Sequence, residues 1–346
     1  MTSIPPPTPE NRAPEPDFPS EPNLAPLPRQ LPFSGWLPLA AGALVGIVLR
    51  LIFTGIPGGA YNVMAASFIY VAPFAVGAVT VYVAERQKRR TWGYYVWAPA
   101  VATMIFVLGT LVILIEGMIC AIIIVPLFAL FGAIGGLVMG VICRFTQRSK
   151  PAVYSVAVLP LLLGMLPTDE GERQRFGTID RSIVVQATPE KIWDELHNTR
   201  DIRADEVGVA WMYRIGVPLP LAGVTRVTPS GRVRQVTMGK SIHFEQVATA
   251  WQENRHVLWT YRFADDSFPP GALDDHVMIG GHFFDLVDTS YTLTPTSPGV
   301  TRLNIKMRYR VSTQFNWYAD GVARLLIGNF EEVILDFYRQ RATRAG

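Results

Sequence analysis

The chain has 346 residues, of which 49% are hydrophobic and 17% charged, with a formal net charge of +3. That is too apolar for an average soluble protein. Up to Pro167 there are 10 Lys/Arg against 6 Asp/Glu, and after it 21 against 22, so the C-terminal part is neutral. A neutral domain lacks the basic footprint that a nucleic-acid partner requires, and none is expected.

Residues 1–35 carry prolines in clusters (Pro5, Pro6, Pro7, Pro14, Pro16, Pro19, Pro22, Pro26, Pro28) with few large apolar side chains to bury. This stretch is predicted to be a disordered tail.

From Leu37 the sequence becomes a succession of apolar runs. Crossing about 30 Å of hydrocarbon takes roughly 20 apolar residues in a helix, because only a helix satisfies its own backbone groups away from water. Leu37 to Ile56, Asn62 to Ala84, Trp92 to Ile115 and Met118 to Ile142 meet that length. A fifth run, Ala152 to Leu166, is a few residues short. The lipid bilayer is therefore an expected partner, with residues 36–167 forming a transmembrane bundle of four or five spans and residues 168–346 a separate soluble domain.

Arg86, Lys88, Arg89 and Arg90 form the most basic loop, and positive loops are retained on the cytoplasmic side. This places the N-terminus in the cytoplasm of a cell bounded by a bacterial-type cytoplasmic membrane. The C-terminal domain is then external, in the periplasm, if the fifth run crosses, and cytoplasmic if it does not. Gly42 with Gly46, and Gly132 with Gly136 and Gly140, have the four-residue spacing that lets helix backbones approach closely. Arg50 and Glu116 are the candidate ionisable residues inside the bundle; snorkelling to the interface is expected, with a mutual ion pair as the alternative. So bare a bundle reads as an anchor or scaffold rather than a channel.

In the C-terminal part, Ile179 to Ala187 reads as a strand, and Thr188-Pro189-Glu190 offers an N-cap, a first-turn proline and an early acid for a helix through Ile192, Trp193 and Leu196. Strand patterns follow around Trp211 to Val217, Arg232 to Met238, Ser241 to Trp251 and His256 to Phe263. Thr301 to Val311 alternates most clearly, with Leu303, Ile305, Met307, Tyr309 and Val311 on one face and Arg302, Lys306, Arg308 and Arg310 on the other. Tyr291 to Thr294 pairs with it across the turn at Pro295 to Gly299. From Phe315 to about Arg341 the period becomes helical. The fold class is α+β: a strand, a helix, several antiparallel strands, then one long terminal helix.

In this order the opening strand before Ala187-Thr188-Pro189-Glu190-Lys191-Ile192-Trp193, the segment Phe244-Glu245-Gln246-Val247 with Trp251, the hairpin Tyr291-Thr292-Leu293-Thr294-Pro295 and the terminal amphipathic helix resemble the SRPBCC or START-like superfamily, which includes polyketide cyclases and lipid-transport domains. The resemblance covers roughly Asp180 to Ala342. It implies a helix-grip fold, in which a curved antiparallel sheet wraps the terminal helix around an apolar cavity. The ligand it implies is a hydrophobic small molecule such as a lipid, steroid or polyketide-like compound. The superfamily has no universal catalytic motif, so an enzyme is not the favoured reading. A cyclase-like enzyme and a purely structural module are the alternatives.

Trp259, Tyr261 and Phe263 share a face on one strand and Met307 and Tyr309 on another, and with Phe330 of the terminal helix they are the expected ligand-binding residues. His276, His282 and Asp288 are the weak catalytic candidates; on an extended strand His282 and Asp288 share a face. Both cysteines, Cys120 and Cys143, lie in or beside one apolar run, and the chain has no Gly-x-Ser-x-Gly, Walker-type or His-Glu-x-x-His motif. No cofactor and no metal ion are expected.

Overall fold

The computed structural model describes residues 35–55, 64, 66–146, 162, 174–229 and 231–344. The proline-rich tail and, apart from Leu162, the fifth apolar run lie outside the described residues.

Leucine, isoleucine, valine and alanine dominate helices α1 (Leu37–Gly55), α2 (Ala72–Gln87), α3 (Tyr94–Val112) and α4 (Met118–Phe145). One π-helical turn, Ser67–Val71, runs straight into α2. Counting that turn with α2, all four are long and apolar enough to cross a membrane. Small residues set their spacing. Gly46 lies against the Phe106 ring, where a β-carbon would come within 2.6 Å, and Gly77 lies against the Gly132 carbonyl. The outward surface is apolar too, with Leu44, Leu108 and Leu130 each more than half exposed, whereas Thr80, Thr103 and Arg50 are buried. This inverts the usual surface of a protein in water.

Arg50 does not snorkel. Its Nη2 lies 2.9 Å from Glu116 Oε2, and the guanidinium also donates to Thr54 Oγ1 and, at 3.5 Å, to the Ile115 carbonyl. A buried charge needs a partner, and α1 and the turn before α4 bring the two together.

The C-terminal part is a single curled sheet of eight antiparallel strands in the order β1-β8-β7-β6-β5-β4-β3-β2. They are β1 (Arg175–Val185), β2 (Asn198–Thr199), β3 (Pro220–Thr228), β4 (Gly231–Met238), β5 (His243–Gln252), β6 (His256–Arg262), β7 (Phe284–Ser297) and β8 (Val300–Val311). Irregular registers at Pro220/Ala222, Ala248/Ala250 and Leu286/Asp288 mark bulges, which increase local twist and curl the sheet. The expected hairpin is β7 and β8, with Leu293 opposite Leu303 and Tyr291 opposite Ile305.

Helices α5 (Pro189–His197), α6 (Ala204–Val207) and α7 (Trp211–Arg214) join the first strands, and α8 (Asn316–Arg344) ends the fold. With 29 residues α8 is about 43 Å long. It lies chiefly against β1 and β8, burying Ile327, Ile334, Leu335 and Phe337 with Ile179, Leu303 and Ile305. One expectation changes. Trp211 to Val217 begins as helix α7, anchored where Asn329 Oδ1 accepts the Trp211 N–H at 2.8 Å. Strand β3 lies beyond the expected strands and begins at Pro220, which is tolerated as a first strand residue.

The sheet domain docks on one end of the bundle. Tyr318 donates to the Ile123 carbonyl at 2.5 Å, Trp317 Nε1 to Tyr70 Oη at 2.9 Å, and the Cys120 N–H to Asp274 Oδ2 at 3.1 Å. Phe315 joins the core of Phe68, Phe106 and Phe128. At the opposite end Arg144 donates to the Arg90 carbonyl at 2.9 Å, and Glu85 accepts from Tyr95 Oη at 2.8 Å.

Candidate functional site

Between the docked halves lies a cavity of about 320 Å³, within the range of small-molecule sites. Its walls are predominantly hydrocarbon. Phe68, Phe106, Ile124 and Phe128 line it from the bundle, Val236, Met238, Phe244 and Leu286 from the sheet, and Val322, Leu326 and Phe330 from α8.

The expected ligand residues divide. Tyr261, Met307 and Phe330 line this cavity; Trp259, Phe263 and Tyr309 do not. Trp259 is sealed beneath α5, its ring centroid 6.2 Å from that of Trp251 and 5.7 Å from that of His197. Phe263 belongs to a side cluster with Phe244 and Phe268. Tyr309 donates to Asp320 Oδ1 at 2.6 Å under the start of α8. Strand alternation identifies a face but not the depth along it: α5 covers Trp259 and α8 covers Tyr309.

Of the catalytic candidates, only His276 reaches the wall. Its Nδ1 lies 3.7 Å from Glu116 Oε1 and 3.9 Å from Asp274 Oδ1, without a normal hydrogen bond. Burial pushes the Asp274 carboxyl up, opposed by the Cys120 N–H and supported by Glu116. Glu116, Cys120 and His276 bring ligand-type atoms within 4.8 Å of one another, although Glu116 already balances Arg50. Asp288 is held by Arg308 in an ion pair. His282 precedes β7 and turns its ring edge onto Phe283, 4.7 Å between centroids. The bulge at Leu286/Asp288 breaks the alternation that placed His282 and Asp288 on one face.

Sequence reasoning missed a polar rung crossing the cavity floor. Arg234 on β4 pairs with Gln246 on β5, which pairs with Tyr261 on β6, so the three side chains stand on the same face. Arg234 Nη1 donates to Gln246 Oε1 at 3.4 Å and Nη2 to Tyr338 Oη of α8 at 3.1 Å. Tyr261 Oη lies 2.6 Å from Thr289 Oγ1. Gly223 makes room for the guanidinium, since a β-carbon there would come within 2.6 Å of Nη2. The signal was present: period two puts Arg234 on the apolar face of Val236 and Met238.

Burial raises the Tyr261 phenol and holds His197 down at about 3, the latter reinforced by Arg234 and Arg232. Burial also pushes the Glu331 carboxyl up to about 8, partly offset by Arg181. These three groups are therefore uncharged near neutral pH.

No protein-family model matches the sequence, and no curated protein matches it. Among solved structures, the chain is similar to a START superfamily protein from Mycobacterium smegmatis, at 13% identity and a TM-score of 0.34 over 49% of this chain and 99% of that one. It is also similar to an aromatase/cyclase from Streptomyces sp. R1128, at 11% and 0.31 over 49% and 95%. A norcoclaurine synthase of Thalictrum flavum gives 10% and 0.31 over 50% and 97%. Likenesses at this level carry no argument about activity.

Proposed function

We propose that the chain is an integral membrane protein whose START-like C-terminal domain holds an apolar, lipid-like molecule against the end of its own helical bundle. The observation that carries this function is the shared cavity: Phe68, Phe106 and Phe128 of the bundle face Val236, Phe244 and Leu286 of the sheet across one apolar space. A pocket meant only for a soluble ligand would not draw its walls from helices whose outer surface is apolar. Burial of hydrocarbon at about 25 cal/mol per Å² would supply the affinity.

The domain's position supports an external placement. It docks at the Glu116 end, whereas the basic Arg86, Arg89 and Arg90 sit at the far end of α2, where positive residues mark the cytoplasm. Reporter fusions at Gln87 and after Gly346 should therefore report opposite sides. Native mass spectrometry of the full chain, released from detergent in the gas phase, should find a co-purified lipid-like mass. Its displacement by the larger side chain of Ala323→Phe, on the cavity wall, is the expected control. A wild-type protein that carries and accepts no apolar ligand overturns the function.

A further inference from the structure

We infer that the ligand, on the reading just proposed, carries an anionic head, a carboxylate or a phosphate, and that Arg234 with Gln246 and Tyr261 receives it. Its apolar remainder would run toward Phe68, Phe106 and Phe128.

Arg234 is 7% exposed and lines a predominantly apolar cavity. A guanidinium has five N–H donors and does not give up its proton in a protein. Among the described residues its hydrogen bonds go to the Gln246 amide and the Tyr338 phenol, and Nε is buried with no partner. Among the described residues it forms no ion pair. The groups that face it electrostatically are the phenols of Tyr338, Tyr291 and Tyr261, with His197 on the neighbouring side; burial raises the Tyr291 and Tyr261 phenols and lowers His197.

Buried charges in proteins are paired, because an isolated one loses its hydration without compensation. The cavity wall holds a second arginine, and it obeys this rule: Arg50 faces Glu116 at 2.9 Å. The two arginines differ in one respect. Among the described residues Arg50 has a countercharge and Arg234 has none. The planar fork of a guanidinium matches the paired oxygens of a carboxylate or phosphate. Gly223, beside the guanidinium, keeps its face clear of a side chain.

The test uses the full chain in detergent, stripped of lipid. Tritiated oleyl alcohol is bound in a scintillation-proximity assay and displaced by oleic acid, by oleoyl lysophosphatidate or by unlabelled oleyl alcohol. In the wild type at least one of the two anions should displace the probe about 10-fold or more better than the alcohol, as about 1.4 kcal/mol of head-group preference requires. Which of the two does so distinguishes a fatty acid from a phosphate lipid. Arg234→Gln should erase the preference while retaining alcohol binding, and Tyr338→Phe, which keeps the charge, should preserve it. Ligand-free Arg234→Gln should melt at or above the wild-type temperature, since it removes an unpaired buried cation. Equal displacement by acid and alcohol in the wild type, or a preference that survives Arg234→Gln, overturns the head-group assignment. So does a lower melting temperature, which would make Arg234 structural. Failure of the wild type to bind even the alcohol sinks the ligand-binding function itself.

Discussion

Removing one member of the Arg50–Glu116 pair should damage the protein far more than removing both. The two side chains are only 6% and 12% exposed and meet at 2.9 Å. With an effective dielectric near 20, opposite charges that close attract by about 6 kcal/mol. Desolvating two ions costs several kcal/mol each, so the pair as a whole contributes roughly nothing net. A single replacement keeps one desolvation cost and loses the attraction. Glu116→Gln leaves Arg50 with Thr54 and the Ile115 carbonyl as partners. Arg50→Met leaves Glu116 beside Asp274, whose carboxyl it already raises. Each single variant should lose about 3 to 5 kcal/mol, and the double variant should lie within about 1 kcal/mol of wild type. Denaturant titration of the purified full chain in mixed micelles, followed by tryptophan fluorescence, gives the four free energies of the cycle. Additive effects, or single variants that lose less than about 1 kcal/mol, would refute a buried pair joining α1 to the start of α4.

Two further expectations concern pH. His197 is held neutral in the fold, with its pKa lowered to about 3; below about 6.5 the unfolded chain binds the proton that the fold refuses, so stability falls with acid by about 1.4 kcal/mol per pH unit. Denaturation at pH 7 and pH 5 should show wild type losing about 2 kcal/mol more than His197→Gln, and equal losses would reject the assignment. Glu331 shows the opposite direction: its folded pKa is raised to about 8, so its contribution is complete below about 4.5 and disappears as pH rises toward 8. Glu331→Gln should therefore gain up to about 4 kcal/mol over wild type at pH 8 and little at pH 4.5, by the same titrations.

The regular elements were legible because their periods are strong. Leu303, Ile305, Met307 and Tyr309 alternate without interruption, and β8 runs over the predicted stretch with only its first residue, Val300, added. The four apolar runs likewise became helices of nearly the expected bounds. Local patterning failed where tertiary contacts decide. Trp211 is turned into a helix by Asn329, which lies 118 residues away. Asp288 is re-aimed by a bulge and taken up by Arg308. Trp259 has the alternation of a cavity residue but is covered by α5, whose packing no single strand encodes. Arg234 was the reverse case: its position on an apolar face was readable, and an unpaired charge in such a pattern is a stronger pointer to a ligand than any aromatic beside it.

The cavity's location follows from how the long helix meets the sheet. Helix α8 lies chiefly on β1 and β8, at one edge of the strand order, and closes that half of the concave face with Ile327, Ile334 and Phe337. Strands β3 to β6 lie beyond it, and there the face carries Ala222, Val236, Phe244 and Tyr261. Left to water, those side chains would be an exposed apolar patch. The bundle end covers them instead, through Ile119, Ile123 and Phe128, and the fit is incomplete by one ligand-sized space. The bundle end therefore supplies one wall of the cavity. On the function proposed above, substitutions at Phe106 or Phe128 should alter ligand preference as those at Phe330 or Tyr261 do.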